Sequence, residues 1–588
     1  MGDEKQRYSL IRMKISLVIP LQNEEENLPE LINRLVPTLR SSVKTEDYEL
    51  LLVNDNSTDG TATLIDRYAA EDPRIRAVHR RIAPGFGNAI KEGFRNATGD
   101  IIIPFMGDLS DEPEDIVKLV QKIEEGYDLA YGSRFIKDGS ASDYPLLKLI
   151  ANRAFNNLVR LLYGMQERDV TNAFKAYRRE VLEGIGELEA EGFDLTVEIP
   201  LKAHIHGFKA GEVPVHWHGR TRGEAKLKLS QNGSLYGKRL LKLFIWGNTI
   251  ALKDLFQQTI KGSPIHIIIA LFIGLLILAG ILFLSGLSGV YLSIKNANLY
   301  FFLASCLAVF MAFPLRTWRW SILLRTSGHT LPRNIIFNAL LFGWFMNYLL
   351  PARVGDITRG VALKTTANVP LGVALMTIII ERILDMVMLG LLLTPALLFL
   401  APRRFLSIGG GVSVIIFLLI FSFFLVYRFD YLITKKLKNR FAGIHDSIRE
   451  LKEGLCAITK NPAAMGLSLI LSLPIWIFEI ASIYFAAKAV HINIPFFSAI
   501  AAGVTTFILQ ALPLTPAGIG IHEGSIAGVL ALFEIPLEAG TSLALLDHLA
   551  RAVIVYLFGA IATVHIGFQS RRYFNRFNRQ RSEDDGAP

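Results

Sequence analysis

Tyr48-Glu49-Leu50-Leu51-Leu52-Val53 runs straight into Asn54-Asp55-Asn56-Ser57-Thr58-Asp59-Gly60. An apolar run that stops in a cluster of turn formers reads as a strand opening onto a loop. The same punctuation recurs on both sides. Upstream, 15–19 is a short β-branched run ending at Pro20, and 27–39 has helical spacing. Downstream, 61–70 reads as helix, 75–78 as a third strand, 87–97 as helix and 100–105 as a fourth strand. Strands alternating with helices predict an α/β domain with a mostly parallel central sheet. Ligands of such sheets bind beyond the carboxyl ends of the strands. Three places therefore stand out: Gln22 to Glu24, Asp55 and Asp108.

At a strand end, the Asp55 carboxylate can accept hydrogen bonds from a base or ribose. It can equally form a turn that caps the next helix, with Thr58 and Asp59 as rivals. Asp108, followed by Ser110 and Asp111, can hold a divalent ion that neutralises a diphosphate; oxygen ligands suit Mg²⁺ or Mn²⁺. Capping of a helix that starts near Pro113 is the other reading. No Gly-x-x-x-x-Gly-Lys-Ser/Thr loop precedes these residues. Further on come Gly132-Ser133-Arg134, Asn152-Arg153 and Asp169-Val170-Thr171-Asn172-Ala173-Phe174-Lys175. The basic stretch with Arg220, Gly223 and Lys226 either closes over phosphates or is solvated surface charge.

Composition divides the chain. Of 588 residues, 51% are hydrophobic and 20% charged, but from Ile265 onward apolar runs of membrane-spanning length repeat. Spanning candidates are 265–287, 299–313, 371–393, 409–427, 463–487 and 541–566, with shorter apolar stretches at 335–350, 496–512 and 525–533. The net charge of +9 gathers beside these runs, as in Lys435-Lys436-Leu437-Lys438 and Arg571-Arg572. That distribution fits cytoplasmic membrane flanks rather than nucleic acid. The basic segments 316–333, 431–460 and 571–581 are expected on the cytoplasmic side. The first 14 residues show no apolar core of a signal peptide, so the N-terminal domain is expected to be cytoplasmic too. Cys306 and Cys456 read as isolated thiols.

Keeping the basic region 353–364 inside requires 335–350 to enter and leave on one side. Pro513, Pro516, Gly518 and Gly520 break a second region. Two such discontinuous segments fit the construction of transporters; a plain bundle of full spans is the alternative. Charges enter this half as well. Glu381 and Asp385, beside Arg382, share one helical face; Arg353, Asp356 and Arg359 cluster; Glu523 and Arg551 are candidates for pairing across helices. Intramembrane charge marks either function or structural ion pairs.

Taken together, Ile19-Pro20-Leu21-Gln22-Asn23-Glu24-Glu25-Glu26-Asn27-Leu28, the stretch from Val53 to Thr61, Asp108-Leu109-Ser110-Asp111-Glu112-Pro113, Gly132-Ser133-Arg134 and the Arg220–Lys226 loop resemble the inverting family 2 glycosyltransferases of the polyprenyl- and dolichyl-phosphate sugar synthase type. The resemblance implies a GT-A domain over 1–240, with Pro20, Gln22, Glu24 and Asp55 at the nucleotide, Asp108 at a divalent metal, Arg134, Arg220 and Lys226 at phosphates and Asp169 near the acceptor. It implies inverting transfer of a hexose from a GDP- or UDP-sugar to dolichyl or polyprenyl phosphate, for surface-glycan or protein glycosylation. Three positions depart from the pattern: Gln22 replaces a frequent aromatic, Asn54 an Asp, and Met106 the first Asp of Asp-x-Asp.

Leu315-Arg316-Thr317-Trp318-Arg319-Trp320, Pro351-Ala352-Arg353-Val354-Gly355-Asp356, Glu381-Arg382-Ile383-Leu384-Asp385 and 513–523 resemble the lysylphosphatidylglycerol synthase-type, flippase-like membrane domain. That domain is expected over 265–570, joined by a linker at 241–264 and followed by a basic cytoplasmic tail at 571–588. The resemblance implies handling of polar-headed lipids in a multi-pass cell-membrane protein, with Arg353, Glu381, Arg382, Asp385, Glu523 and Arg551 as lipid-handling candidates. A fused transferase and flippase, or a non-catalytic membrane-anchored binding protein, are the alternatives. A processive polysaccharide synthase fits less well, because no Gln-x-x-Arg-Trp motif follows the catalytic region.

Overall fold

The computed structural model describes residues 13–42, 48–219, 229–259, 265–350, 353–400, 460–510 and 515–584. The loop with Arg220 and Lys226, the expected span 409–427, the basic run at 435–438 and Cys456 lie outside the described residues. The chain divides into two compact units, Met1–Lys253 with Gly567–Pro588, and Asp254–Ile566. The Leu229–Thr259 helix runs unbroken through the expected boundary at 240.

The first unit is built on β1 (Ile15–Leu21), β2 (Tyr48–Asn54), β3 (Ile75–His79), β4 (Ile101–Pro104), β5 (Leu129–Ser133), β6 (Ser140–Ala141), β7 (Lys175–Arg178), β8 (Ala210–Pro214) and β9 (His216–Trp217). Seven strands form one sheet in the order β3-β2-β1-β4-β7-β5-β8, and β6 pairs with β9 separately. Neighbours within β3-β2-β1-β4 are parallel, as is β5-β8. β7 enters in reverse between β4 and β5. β1 and β2 are buried along almost their whole length, which is why they read as nearly continuous apolar runs. Helices Leu28–Ser42 and Asp115–Glu124 supply Leu31, Leu35, Leu119 and Ile123 to the same core.

Glu49 is the charged exception in β2. Ser16 Oγ donates to it at 2.6 Å, the Thr98 backbone N–H at 2.6 Å and Arg76 Nη1 at 2.9 Å. Burial alone would raise its carboxyl, but these donors outweigh burial and hold it at about 2.

The second unit is helical. Leu299–Thr326, Pro462–Ala489 and Leu537–Gly567 are long and apolar enough to cross a membrane. A further pair, Leu271–Ser285 and Leu287–Lys295, is bent by 92°. The sequence reading had one span to 287; the helix instead breaks at Gly286, whose φ of 82° is readily adopted only by glycine. The Leu371–Leu400 helix carries Glu381, Arg382 and Asp385 near its middle.

Both regions expected to be discontinuous are broken. Arg333–Leu349 and Val354–Ala367 are separate helices. Asn347 Oδ1 accepts from Gly355 N at 2.7 Å. A Cβ on Gly355 would stand 1.8 Å from the Gly343 carbonyl oxygen, so only glycine permits this approach. In the other region, Phe496–Leu509, a short turn at Pro516–Gly518 and Ile521–Ala531 follow one another. Ser525 Oγ donates to Thr506 Oγ1 at 2.7 Å across it. Arg353 Nε donates to the Gln510 carbonyl at 3.1 Å, so the breaks of the two regions meet. Each break holds a non-glycine residue at positive φ, Arg353 at 51° and Ala517 at 56°.

Candidate functional site

At the carboxyl edge of the sheet, the loops after β1 and β2 are knitted together. Register sets Leu21 beside Asn54, and Asp55 N donates to the Leu21 carbonyl at 2.8 Å. Asn23, at φ 55°, accepts from Thr58 N at 2.8 Å; Glu24 N donates to Thr61 Oγ1 at 2.9 Å; Glu25 accepts from Gly60 N at 2.8 Å. Pro20 ends in this edge beside Val53, and Gln22 and Glu24 follow it, with Glu24 buried.

The two readings of Asp55 separate here. Asn54 accepts from Ser57 N at 3.0 Å and Asp59 from Thr61 N at 3.0 Å, so these neighbours do the turn work. Asp55 instead forms a close ion pair with Arg80 and accepts from Gly85 N at 2.8 Å. Its carboxylate is thereby oriented and buried where the β2 loop meets the start of the Phe86–Asn96 helix.

Beyond β4, Asp108 is half-buried and accepts from Ser110 N at 3.2 Å. Leu109 sits at φ 59°, a strained turn for a bulky residue. His218 N donates to the Ser110 carbonyl at 2.9 Å, and Asp111 bridges to Trp217. Trp217 and His218 are therefore fixed beside Ser110 and Asp111. Asp111 is 1% exposed, and neither carboxylate oxygen has a hydrogen-bond partner among the described residues. Burial pushes its carboxyl up to about 8, and Asp108 adds to the push.

The reversed β7 brings the 169–175 stretch to the end of β5. Asp169, fully buried, takes Arg134 Nε at 2.7 Å, Arg134 Nη2 at 2.8 Å and Arg134 N at 3.1 Å. Burial alone would raise the Asp169 carboxyl; Arg134 holds it below the usual range. The guanidinium plane is thus fixed by a fork of charge-assisted bonds. Lys175 was not singled out from sequence. It is fully buried, donates to the carbonyls of Val170 (2.9 Å) and Asn172, and burial brings its ammonium down to about 7. Asp115 was also passed over; it ties His216 N (2.7 Å) and Lys118 (2.6 Å) to this edge. Lys175 closes the stretch 169–175 and Asp115 lies two residues past Pro113; only the fold shows them buried. Among the described residues no group of three His, Cys, Asp or Glu side chains could hold a metal ion; Asp108 and Asp111 are two hard carboxylate donors in the segment after β4.

Residues 16–186 match the Glycosyl transferase family 2 model, and residues 271–559 match the Lysylphosphatidylglycerol synthase TM region. Polyprenol monophosphomannose synthase of Mycolicibacterium smegmatis is 31% identical over 39% of this chain and 86% of its own length. The chain belongs to glycosyl transferase family 2. Undecaprenyl-phosphate mannosyltransferase of Micrococcus luteus is 30% identical over 40% of this chain and 94% of its own. Glycosyltransferase AglD of Haloferax volcanii is 27% identical over 93% of this chain and 92% of its own, so its likeness takes in both halves. The protein is a glycosyltransferase: a GT-A-type domain fused to a polytopic membrane domain of the lysylphosphatidylglycerol synthase type.

In the membrane domain the charges pair with one another. Glu381 and Asp385 both reach Arg319, at 3.4 and 2.6 Å, as their shared face implies. Glu381 also meets Arg359 at 2.9 Å, and Arg382 spans Asp356 (3.1 Å) and Asp385 (3.3 Å). The expected Glu523–Arg551 pair does not form. Glu523 pairs with His548 at 2.5 Å, whereas Arg551 pairs with Asp547 at 2.7 Å and closely with Glu479. Asp547, four residues before Arg551 on the same helix, and Glu479 of the Pro462–Ala489 helix together take up the guanidinium, and Glu523 is left to His548. The basic segment 316–333 also differs: the Leu299–Thr326 helix continues into it, and Arg316 and Arg319 are buried against Glu479 and Asp385. The Arg353 side chain has one hydrogen bond, to the Gln510 carbonyl, and no salt bridge among the described residues.

Proposed function

We propose that the enzyme transfers a hexose from a GDP- or UDP-sugar to a dolichyl or polyprenyl phosphate, with inversion at the anomeric carbon. The observation that carries this is the gathering of Asp55, Asp108 and the Arg134–Asp169 pair along one sheet edge. The names of the relatives in family 2 agree with it. A lipid phosphate is already anionic at neutral pH and attacks without a strong general base. The protein's task is to align it opposite the departing diphosphate and to stabilise that leaving group. In this reading Pro20, Gln22, Glu24 and Asp55 receive the nucleotide. Arg134, its plane fixed by Asp169, meets phosphate together with Arg220 and Lys226 from the loop rooted at Trp217. Mg²⁺ or Mn²⁺ held at Asp108 would supply the neutralising charge; the Asp111 oxygens, which have no hydrogen-bond partner among the described residues, fit a cation there.

The GT-A domain is assigned to 1–240, the linker to 241–264, the membrane domain to 265–570 and the tail to 571–588. The catalytic domain and tail are assigned to the cytoplasm by the basic flanks. In the membrane domain, Arg353, Glu381, Arg382, Asp385, Glu523 and Arg551 line or support a polar path for the lipid head. A second reading, that this half also flips the charged lipid, is favoured by the meeting of the two broken regions at Arg353 and Gln510. Radiolabelled GDP- and UDP-sugars, offered to membranes with several polyprenyl phosphates, test the reaction. Lipid-linked product with inverted configuration is expected; no transfer from any donor overturns the proposal.

A further inference from the structure

Asp108 and Asp111 lie three residues apart in one clamped turn, yet their surroundings differ. The charged groups that bear on Asp111 include Asp108, Arg134, Asp115, Asp169 and Lys175. Two of the carboxylates among them are already engaged. Asp115 is held by Lys118 at 2.6 Å and by His216 N at 2.7 Å. Asp169 is held by three bonds from Arg134, which it occupies in turn. Asp111 is left with both oxygens buried and without a hydrogen bond among the described residues. Burying a carboxyl that way is costly, and native structures rarely tolerate it without an ion or water in place.

The position is not a casual one. Asp111 is fixed by its bridge to Trp217, and the preceding carbonyl by His218 N. The turn at Leu109 is held strained between the two acids. Structures keep such strain where a site needs it. Met106, which precedes Asp108 by two residues, offers only a thioether, a soft donor ill suited to Mg²⁺ or Mn²⁺. A cation at Asp108 alone would have one protein carboxylate. The geometry points to Asp111 as the second carboxylate ligand of the divalent ion, replacing the acid that Met106 lacks. The remaining coordination places fall to diphosphate oxygens and water, as is usual for ions that bridge protein and phosphate. No substrate bond is made or broken in this step; Asp111 would hold the cation through its deprotonated carboxylate.

This inference rests on the metal-assisted reading above, and its test keeps the two apart. Full-length protein in detergent is titrated with Mn²⁺ in the presence of GDP or UDP, and bound ion is read from the loss of the free-Mn²⁺ EPR signal. Nucleotide affinity in EDTA is measured alongside as the control for folding. Asp111→Asn is expected to weaken Mn²⁺ binding by roughly 10- to 100-fold, with nucleotide affinity in EDTA unchanged. Met106→Asp added to that variant is expected to recover part of the loss. Asp111→Glu, which keeps a carboxylate on a longer arm, is expected to fall between parent and Asp111→Asn. Parental Mn²⁺ affinity in Asp111→Asn, while Asp108→Asn loses it, overturns the role of Asp111 and leaves the metal reading standing. Equal weakening by Asn and Glu overturns it as well, since the charge is then irrelevant. A parent that binds no Mn²⁺ with either nucleotide overturns both.

Discussion

The edge of the sheet and the interior of the helical unit both concentrate charge, but they dispose of it differently. At the edge, acids differ in how fully they are satisfied. Asp169 takes three bonds from Arg134 and one from Thr171, Asp55 is held by Arg80 and Gly85 N, and Asp111 has no hydrogen bond among the described residues. In the helical unit, Arg316, Glu479, Arg551, Asp547 and His522 form one continuous chain of pairs. Arg319, Glu381, Arg359, Asp356, Arg382 and Asp385 form another. A site built for a charged ligand can leave an acid unmatched until that ligand arrives. A charge at membrane depth has no such reserve and must be matched by protein. Pairing in the membrane is therefore weak evidence of a role in chemistry, and an unmatched group is stronger evidence.

The largest effect expected from this contrast is on stability. Glu479→Gln leaves Arg316 and Arg551 facing each other with one fewer negative charge between them. Removing one partner of a buried network costs about 3–5 kcal/mol, so a clear fall in the thermal midpoint in detergent is expected. An unchanged midpoint would mean that these charges are hydrated, and the distinction between the two regions would dissolve. At the sheet edge the expectation reverses: Asp108→Ala should spare folding and lower transfer by roughly 10²–10³-fold, the usual cost of losing one group that stabilises developing charge. Full activity of that variant, undiminished in EDTA, removes Asp108 from the reaction.

A third expectation concerns the opposite edge of the sheet. Glu49 is held at about 2, against an ordinary 4.5. A lowered folded-state pKa adds stability that is complete above the unfolded value and is lost as pH falls toward the folded one. Acid should therefore strip up to about 3 kcal/mol from the α/β unit between roughly pH 5 and 2. Denaturant unfolding of the parent and of Glu49→Gln across that range checks this. The variant should start less stable at neutral pH and lose less on acidification; parallel curves would assign the acid sensitivity elsewhere.

Much of the α/β unit was legible because its first strands are buried on both faces and end in turn formers. β1 through β4 fall within a residue or two of the runs read from sequence. The reversal of β7 was not legible. Lys175 and Arg178 make it look like surface, whereas both are tied to backbone carbonyls inside the fold. The Arg134–Asp169 pairing depends on that reversal, which local pattern does not encode. That Asp111 has no hydrogen-bond partner among the described residues was equally hidden, since burial and partners are set by the fold and not by local pattern. In the helical unit, helical periodicity put Glu381 and Asp385 on one face correctly. The partner of Glu523 was missed because cross-helix register is set by packing, as with Gly343 against Gly355, and not by spacing along one chain.

The smallest effect predicted is also the one that separates a structural charge from a working one within the membrane. Glu381, Arg382 and Asp385 each have ionic partners, so their loss should register first as instability. Arg353 differs. It stands at the break between two helices, in a strained left-handed conformation, and the one side-chain bond it makes among the described residues goes to a carbonyl of the second broken region. Strain of that kind persists only where surrounding structure enforces it. A cation placed there, with no acid in salt-bridge contact among the described residues, suits a phosphate arriving from the bilayer. Arg353→Gln should leave the thermal midpoint and transfer to a short, detergent-soluble acceptor near parental values. Transfer to a full-length polyprenyl phosphate should fall roughly tenfold, the effect of one charged hydrogen bond. If lipid flipping in vesicles fails while both transfer rates hold, Arg353 serves passage of the product rather than loading of the acceptor. If transfer to both acceptors falls equally, Arg353 acts on the catalytic domain as a whole. If all three rates match the parent, the membrane domain holds its charges for architecture alone.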